Sequence, residues 1–164
     1  MEQYPLHLLN LASVHDVASR LPADAPPLGA LRFRPNIICM PPHPFLPVCN
    51  PPSSHDQALL TSAVSGSPAY SEDAWKRIRI GASDFFVACR TARCRLPNTH
   101  PETGEKHAHE PDRTLRSFRC VDEGAGSIAC LGMQMVPDLG RCGDVVVGDE
   151  VEVLERGEHW YIKQ

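Results

Sequence analysis

The sequence predicts an α+β fold, mainly β: a twisted, partly closed, barrel-like sheet with a few short helices. Three observations carry this. Short apolar stretches recur between Gly- and Pro-rich turn signals, the spacing of a sheet built from many short strands. Arg77-Ile78-Arg79-Ile80 and Glu150-Val151-Glu152-Val153 alternate apolar with charged residues, the period of a strand with one buried face. Helix-start chemistry is found at two places, Ser13 and Pro111. At 164 residues the chain accommodates one domain with a real core, over residues 5–164.

The elements follow in order. Pro5–Leu11 reads as a short buried strand. Ser13 then caps a helix over Val14–Leu21 with Asp16 in its first turn, and Pro22 and Pro26-Pro27 end it. Leu31–Cys39 reads as a strand broken in its pleat by Pro35. Residues 40–70 lose the pattern: six prolines fall between Pro41 and Pro52, followed by Ser, His, Ala and Gly without periodicity. Such a segment buries too little to order itself, so 40–70 is expected to be a disordered or exposed insertion. Order resumes with a strand over Arg77–Gly81, a turn at Gly81-Ala82-Ser83 and a strand over Asp84–Cys89. Residues 90–110 read as loop. Pro111 opens a helix over Asp112–Cys120, where its missing N–H costs nothing. Ser127–Val136, weakened at Gly132, and the short stretches Asp144–Val147, Glu150–Glu155 and His159–Lys163 complete the strands.

Composition narrows the function classes. A net charge of −4 argues against a general nucleic-acid binder. The charge is uneven, since ten of the sixteen Lys and Arg lie between Lys76 and Arg119. A basic middle suits a small anionic ligand better than a duplex. No secretory signal is visible at Met1-Glu2-Gln3-Tyr4, and seven cysteines form no regular framework, so the thiols are expected to be reduced and the protein intracellular, cytoplasmic or mitochondrion-associated. No apolar run is long enough to cross a membrane.

The chemistry concentrates in Cys89-Arg90-Thr91-Ala92-Arg93-Cys94-Arg95-Leu96-Pro97-Asn98. A thiol beside fixed positive charge is set up to act as thiolate, the form that ligates metals and attacks as a nucleophile. Guanidinium groups nearby hold phosphate through paired hydrogen bonds. A soft metal ligand next to phosphate anchors points to a metal carried on a phosphorylated organic cofactor. Three further segments accompany this run: Phe33-Arg34-Pro35-Asn36-Ile37-Ile38; Glu72-Asp73-Ala74-Trp75 with Ile78-Arg79-Ile80-Gly81; and Val147-Gly148-Asp149-Glu150-Val151.

Together these four segments, in their order along the chain, resemble the MOSC domain, the C-terminal module of molybdenum cofactor sulfurases and of the amidoxime-reducing component. The resemblance implies a MOSC-like, partly closed β-barrel. It implies the molybdenum cofactor (molybdopterin), with Cys94 as catalytic residue and metal ligand, because a soft sulfur donor suits a metal already held by the dithiolene sulfurs of the pterin. It assigns Arg34, Asn36 and Arg93 to cofactor binding, the guanidiniums to the phosphate and the amide to phosphate or pterin, and adds Ser13 as a small polar contact. Arg93 and Arg95 would favour the thiolate of Cys94. The implied activity is that of a molybdenum-dependent oxidoreductase reducing small N-hydroxylated substrates, with electrons from a b-type cytochrome and its flavin reductase.

Other readings stand beside this one. MOSC domains are also fused to pyridoxal-phosphate desulfurases, so pyridoxal phosphate enters as a family-level association and Cys94 as a persulfide carrier without reductase activity. Family members usually carry an additional N-terminal β-domain that completes the pocket, and this chain starts after it, which makes a truncated, non-catalytic fragment a third reading. Cys89 reads as a second redox thiol, a disulfide partner or a packing residue, with the structural role favoured. His100 stands where the family has an acid, either as a proton relay or, more simply, as a loop residue. Glu110 and Arg119 read as architectural. A zinc set drawn from His107, His109 and Glu110 with Cys94 or Cys89 is the competing metal reading, and its spacing lacks any paired repeat.

Overall fold

The computed structural model describes residues 4–40, 60–63 and 67–160. Its centre is one sheet of seven strands in the order β3-β2-β1-β6-β5-β4-β7. The strands are β1 (Leu6–Asn10), β2 (Ile37–Met40), β3 (Leu60–Ala63), β4 (Trp75–Ile80), β5 (Ser83–Ala92), β6 (Cys130–Pro137) and β7 (Val151–Arg156). The β1–β2 and β2–β3 pairs are parallel and the other four are antiparallel. Among the described residues two α-helices accompany the sheet, α1 (Leu11–Ser19) and α2 (Asp112–Phe118). The mainly β architecture expected from the sequence is the one observed.

Alternation builds the core as expected. Ile78 faces Val153 and Ile80 faces Val151 across the β4–β7 pair, while Arg79 faces Glu152 on the wet side, 3.3 Å apart as an ion pair. Both faces of the sheet are covered. Leu8, Trp75, Ile78, Ile80, Phe85, Met133 and Met135 fill one side. Leu9, Val14, Val17, Phe33, Leu115 and Leu131 pack the helices on the other. That explains why β1 reads as a continuous apolar run: Leu8 and Leu9 point to opposite cores.

In β6, Leu131 belongs to one core, Met133 and Met135 to the other, although strict alternation would place all three on one face. A β-bulge resets the phase. Arg90 pairs with Met133 and Ala92 with Cys130, so three steps on β6 oppose two on β5, with Gly132 at φ +76° inside the bulge. The weakness that Gly132 lends the strand in the sequence is therefore structural design. A Cβ there would lie 2.5 Å from Nε2 of His7 and 2.6 Å from the carbonyl of Leu8.

Several boundaries differ from the sequence reading. Helix α1 starts at Leu11, with Asn10 as cap: its side chain accepts from the N–H of Ala12 at 3.0 Å. Ser13 lies inside the helix. Residues Ala30–Phe33 form a 3-10 turn, and Arg34 adopts φ +51°, so the strand begins only at Ile37. The Pro35 break thus dominates the apolar pattern before it. Strand β5 runs three residues beyond Cys89, to Ala92. Asp144–Val147 is not a strand. Of the segment 40–70, Leu60–Ala63 forms β3 beside β2, and residues 41–59 and 64–66 lie outside the described residues, as does the end of the proposed strand at 161–163.

Candidate functional site

Two lips face each other across a cleft of about 340 Å³. One lip is the turn from Phe33 to Asn36, leading into β2. The other is the end of β5, continuing through Arg93 and Cys94 to the 3-10 turn Leu96–Asn98. Arg34, Asn36, Arg93 and Cys94 all line the cleft, so four of the five site residues expected from the sequence are brought together across some sixty positions of chain. Cys94 is exposed and its thiol is free. The Arg34 side chain has no hydrogen bond or ion pair among the described residues and lies exposed at the cleft. The left-handed backbone at Arg34 turns the chain sharply enough for Asn36 to clasp β1: Asn36 Oδ1 accepts from His7 N at 2.8 Å, and Asn36 N donates to His7 O at 2.9 Å. Its amide NH₂ remains available to a ligand.

Arg93 has a different occupation from the one expected. It is buried, and its guanidinium donates to Leu131 O at 2.8 Å and 2.6 Å, to Phe33 O at 3.1 Å and to Nε2 of His7. It also sits over the Phe33 ring, 5.3 Å from the centroid. Four of its five donors are thus spent on the protein. Burial lowers its pKa to about 9, which leaves it charged at neutral pH. Arg93 ties together β1, β6 and the Phe33 turn, and shapes the cleft instead of reaching into it. Burial first, and then the charge of Arg93, holds His7 down to about 3, so His7 is neutral, accepting at Nε2 and donating from Nδ1 towards Arg34 O at 3.5 Å.

Ser13 is not in the cleft. Its hydroxyl donates to Glu72 Oε1 at 2.6 Å and accepts from Tyr70 N at 2.8 Å, on the inner side of α1. Asn10 Nδ2 bonds the other Glu72 oxygen at 2.9 Å. Glu72 is fully buried, and desolvation raises its carboxyl to about 7 despite those two donors. The reason for the misplacement is the shift in helix start: a Ser inside the helix faces the core, where a capping Ser would face the loop.

The remaining candidates separate cleanly. Cys89 is buried, and burial pushes its thiol up to about 11, as befits packing. His100 Nδ1 accepts from the N–H groups of Glu102 and Thr103 at 3.3 and 3.2 Å, which makes it a loop brace. Glu110 accepts from Thr114 N at 3.0 Å, and Arg119 joins Asp73 at 2.7 Å and Cys130 O at 2.9 Å, both architectural. Arg95 is paired with Asp112 at 3.3 Å. The zinc reading is corrected: no group of three or more His, Cys, Asp or Glu among the described residues is placed to hold a metal ion. His107 instead accepts from Glu110 N at 2.8 Å.

Two residues lining the cleft escaped the sequence reading, His7 and Arg32. Each left a signal. His7 is a polar residue inside an apolar strand, and Arg32 a cation between apolar neighbours.

No model of a known protein family matches the chain. Individual proteins do. Mitochondrial amidoxime-reducing component 1 of Mus musculus is 29% identical over 154 residues, covering 92% of this chain and 36% of that protein. Its counterpart in Homo sapiens is also 29% identical, over 92% of this chain and 37% of its own length. Molybdenum cofactor sulfurase of Oryza sativa subsp. japonica is 31% identical over 121 residues, 70% of this chain and 12% of the sulfurase. The chain therefore spans little more than a third of the amidoxime-reducing relatives it matches. No helix among the described residues is long and apolar enough to cross a membrane. With a mainly β sheet, the cleft formed by the Phe33–Asn36 turn and Cys94, and similarity to the amidoxime-reducing components over nine-tenths of its length, the chain is a MOSC-like domain.

Proposed function

We propose that this domain binds the molybdenum cofactor in the Cys94 cleft and serves in the reduction of small N-hydroxylated substrates. The observation that supports this best is the convergence of one exposed thiol, one unpaired guanidinium and one side-chain amide on a single cleft. That donor set fits the group: sulfur for a metal already carried by sulfur, a fork of N–H donors for phosphate, and an amide for phosphate or ring edge. When bound, the cofactor supplies two-electron oxygen-atom chemistry, which the side chains here cannot. The chain's own residues hold and orient. Cys94 offers the metal ligand, Arg34 neutralises phosphate charge, and Asn36 directs its free NH₂ into the cleft while its oxygen stays fixed on His7. Arg93 and the neutral His7 keep the two lips at a set separation.

Reduction of an N–OH group to N–H takes two electrons and two protons and releases water. In this reading the electrons arrive from a b-type cytochrome and its flavin reductase. An intracellular setting, cytoplasmic or mitochondrial, belongs to the same reading and is supported by the six described cysteines all being free.

The test is molybdenum by elemental analysis and pterin by fluorescence, on wild type and Cys94→Ala purified from a host that makes the cofactor. Near-stoichiometric metal in wild type and its loss in the variant are expected. Sulfane sulfur on Cys94 without metal or pterin would replace this reading by the sulfur-carrier one. Absence of all three would leave a domain that does not hold the cofactor by itself.

A further inference from the structure

Behind the Phe33–Asn36 lip lies a second cleft, of about 420 Å³, that shares Arg32 with the Cys94 cleft. Arg32 is only 6% exposed, and among the described residues its side chain makes one hydrogen bond, from Nη1 to Pro97 O at 3.3 Å. No carboxylate among the described residues pairs with it. A guanidinium has five donors and a permanent charge, so a nearly buried one with a single carbonyl partner is electrostatically incomplete. Asn98, 1% exposed, lines the same cleft. Its Oδ1 accepts from Asp112 N at 3.1 Å, which fixes the amide orientation and leaves Nδ2 buried without a partner. A nearly buried guanidinium with one carbonyl partner and a buried amide NH₂ with no partner among the described residues therefore line one cavity.

The rim adds further donors. Lys106 is exposed there. His100 and His107 each use Nδ1 to accept from backbone N–H, so the neutral imidazole of each carries its proton on Nε2. The acids of the cleft, Asp24 and Glu105, are solvent-exposed at the mouth, where water screens them. Exposed groups of both signs thus line the cleft beside two buried side chains, Arg32 and Asn98, that bring N–H donors to it.

We propose that Arg32 and Asn98 form an oxyanion subsite for a phosphate or carboxylate group, separate from the Cys94 cleft and adjoining it through Arg32. The proposal needs no metal at Cys94. Its chemistry has two sources: the phosphate of the cofactor itself, reaching past Arg32, or the anionic group of a second molecule.

The experiment is titration of inorganic phosphate into the ¹⁵N-labelled chain at constant ionic strength, following the Asn98 side-chain amide and the Lys106 and His107 backbone signals. Saturable shifts at these three are expected, with Kd raised about tenfold or more in Arg32→Gln, the loss of one charge-assisted pair. Should Arg32→Gln fail to fold, Lys106→Gln serves, with an expected rise of about threefold. Wild-type affinity in whichever variant is folded, or no saturable shift up to about 50 mM phosphate, overturns the proposal. Cofactor-loaded protein separates the sources. Loss of the phosphate response on loading identifies the cofactor's own phosphate, and its persistence identifies a second anionic molecule. Because the first titration uses no cofactor, its outcome is independent of whether Cys94 binds molybdenum.

Discussion

Nε2 of His7 accepts a hydrogen bond from the guanidinium of Arg93, joining the first strand of the sheet to the residue beside Cys94. The bond is possible because the bulge at Gly132 removes a side chain from between them and turns the Leu131 carbonyl toward the same guanidinium. The neighbour of the candidate ligand is thereby fixed by three separate strands or turns.

Arg93→Ala is expected to cost about 3 kcal/mol of stability, because it strands the Leu131 and Phe33 carbonyls in the interior. Arg93→Lys recovers little of this, since one ammonium cannot reproduce the fork. Arg34→Ala, exposed and unpaired, is expected to change stability by less than about 0.5 kcal/mol while weakening cofactor retention. Urea unfolding of the three variants alongside metal content checks the contrast.

Gly132→Ala is expected to cost more than about 3 kcal/mol, since the new methyl meets His7 and the Leu8 carbonyl inside van der Waals distance. Gly104 also has positive φ, at +72°, but nothing lies within 4 Å of its Cβ position. Gly104→Ala is expected to cost only about 1–2 kcal/mol, the backbone term alone. Thermal unfolding of the pair separates contact from conformation.

Ser13→Ala is expected to destabilise by about 1–3 kcal/mol, because it removes both the hydroxyl on Glu72 and the acceptor for Tyr70 N–H. Phosphate and cofactor binding are expected to be unchanged. A loss of cofactor without loss of stability would restore the ligand role that the sequence suggested for Ser13.

His7 and Glu72 give opposite pH dependences. The unfolded chain protonates His7 below the ordinary histidine value of 6.5 and the folded chain only near 3, so its contribution is full above 6.5 and is lost as pH falls toward 3. Folded Glu72 keeps its proton up to about 7, whereas unfolded Glu72 releases it above 4.5, so its contribution is full below 4.5 and is lost as pH rises through 7. Between 4.5 and 6.5 the two oppose each other. Relative to wild type, Glu72→Gln is expected to show stability rising with pH across that window, and His7→Gln stability falling, each by at most about 1.4 kcal/mol per pH unit. Chemical denaturation at four pH values reads both slopes.

By itself, the sequence determined the class of fold and the strands whose pattern is local. The alternations in β4 and β7 and the apolar run of β1 are legible because side-chain burial in a strand repeats every second residue. It also named the two lips of the cleft, since Cys94 with its arginines and Phe33-Arg34-Pro35-Asn36 are contiguous motifs. The tertiary structure decided what each residue there is for. Arg93 and Arg34 look alike in sequence, yet one is consumed by buried carbonyls and the other faces the cleft. The start of α1 one turn earlier moved Ser13 from loop to core. The bulge at Gly132, the pairing of His7 with Arg93 and the unpaired charge of Arg32 arise between residues distant in the chain. Burial and hydrogen-bond satisfaction are properties of the assembled interior, and no local window of residues contains them.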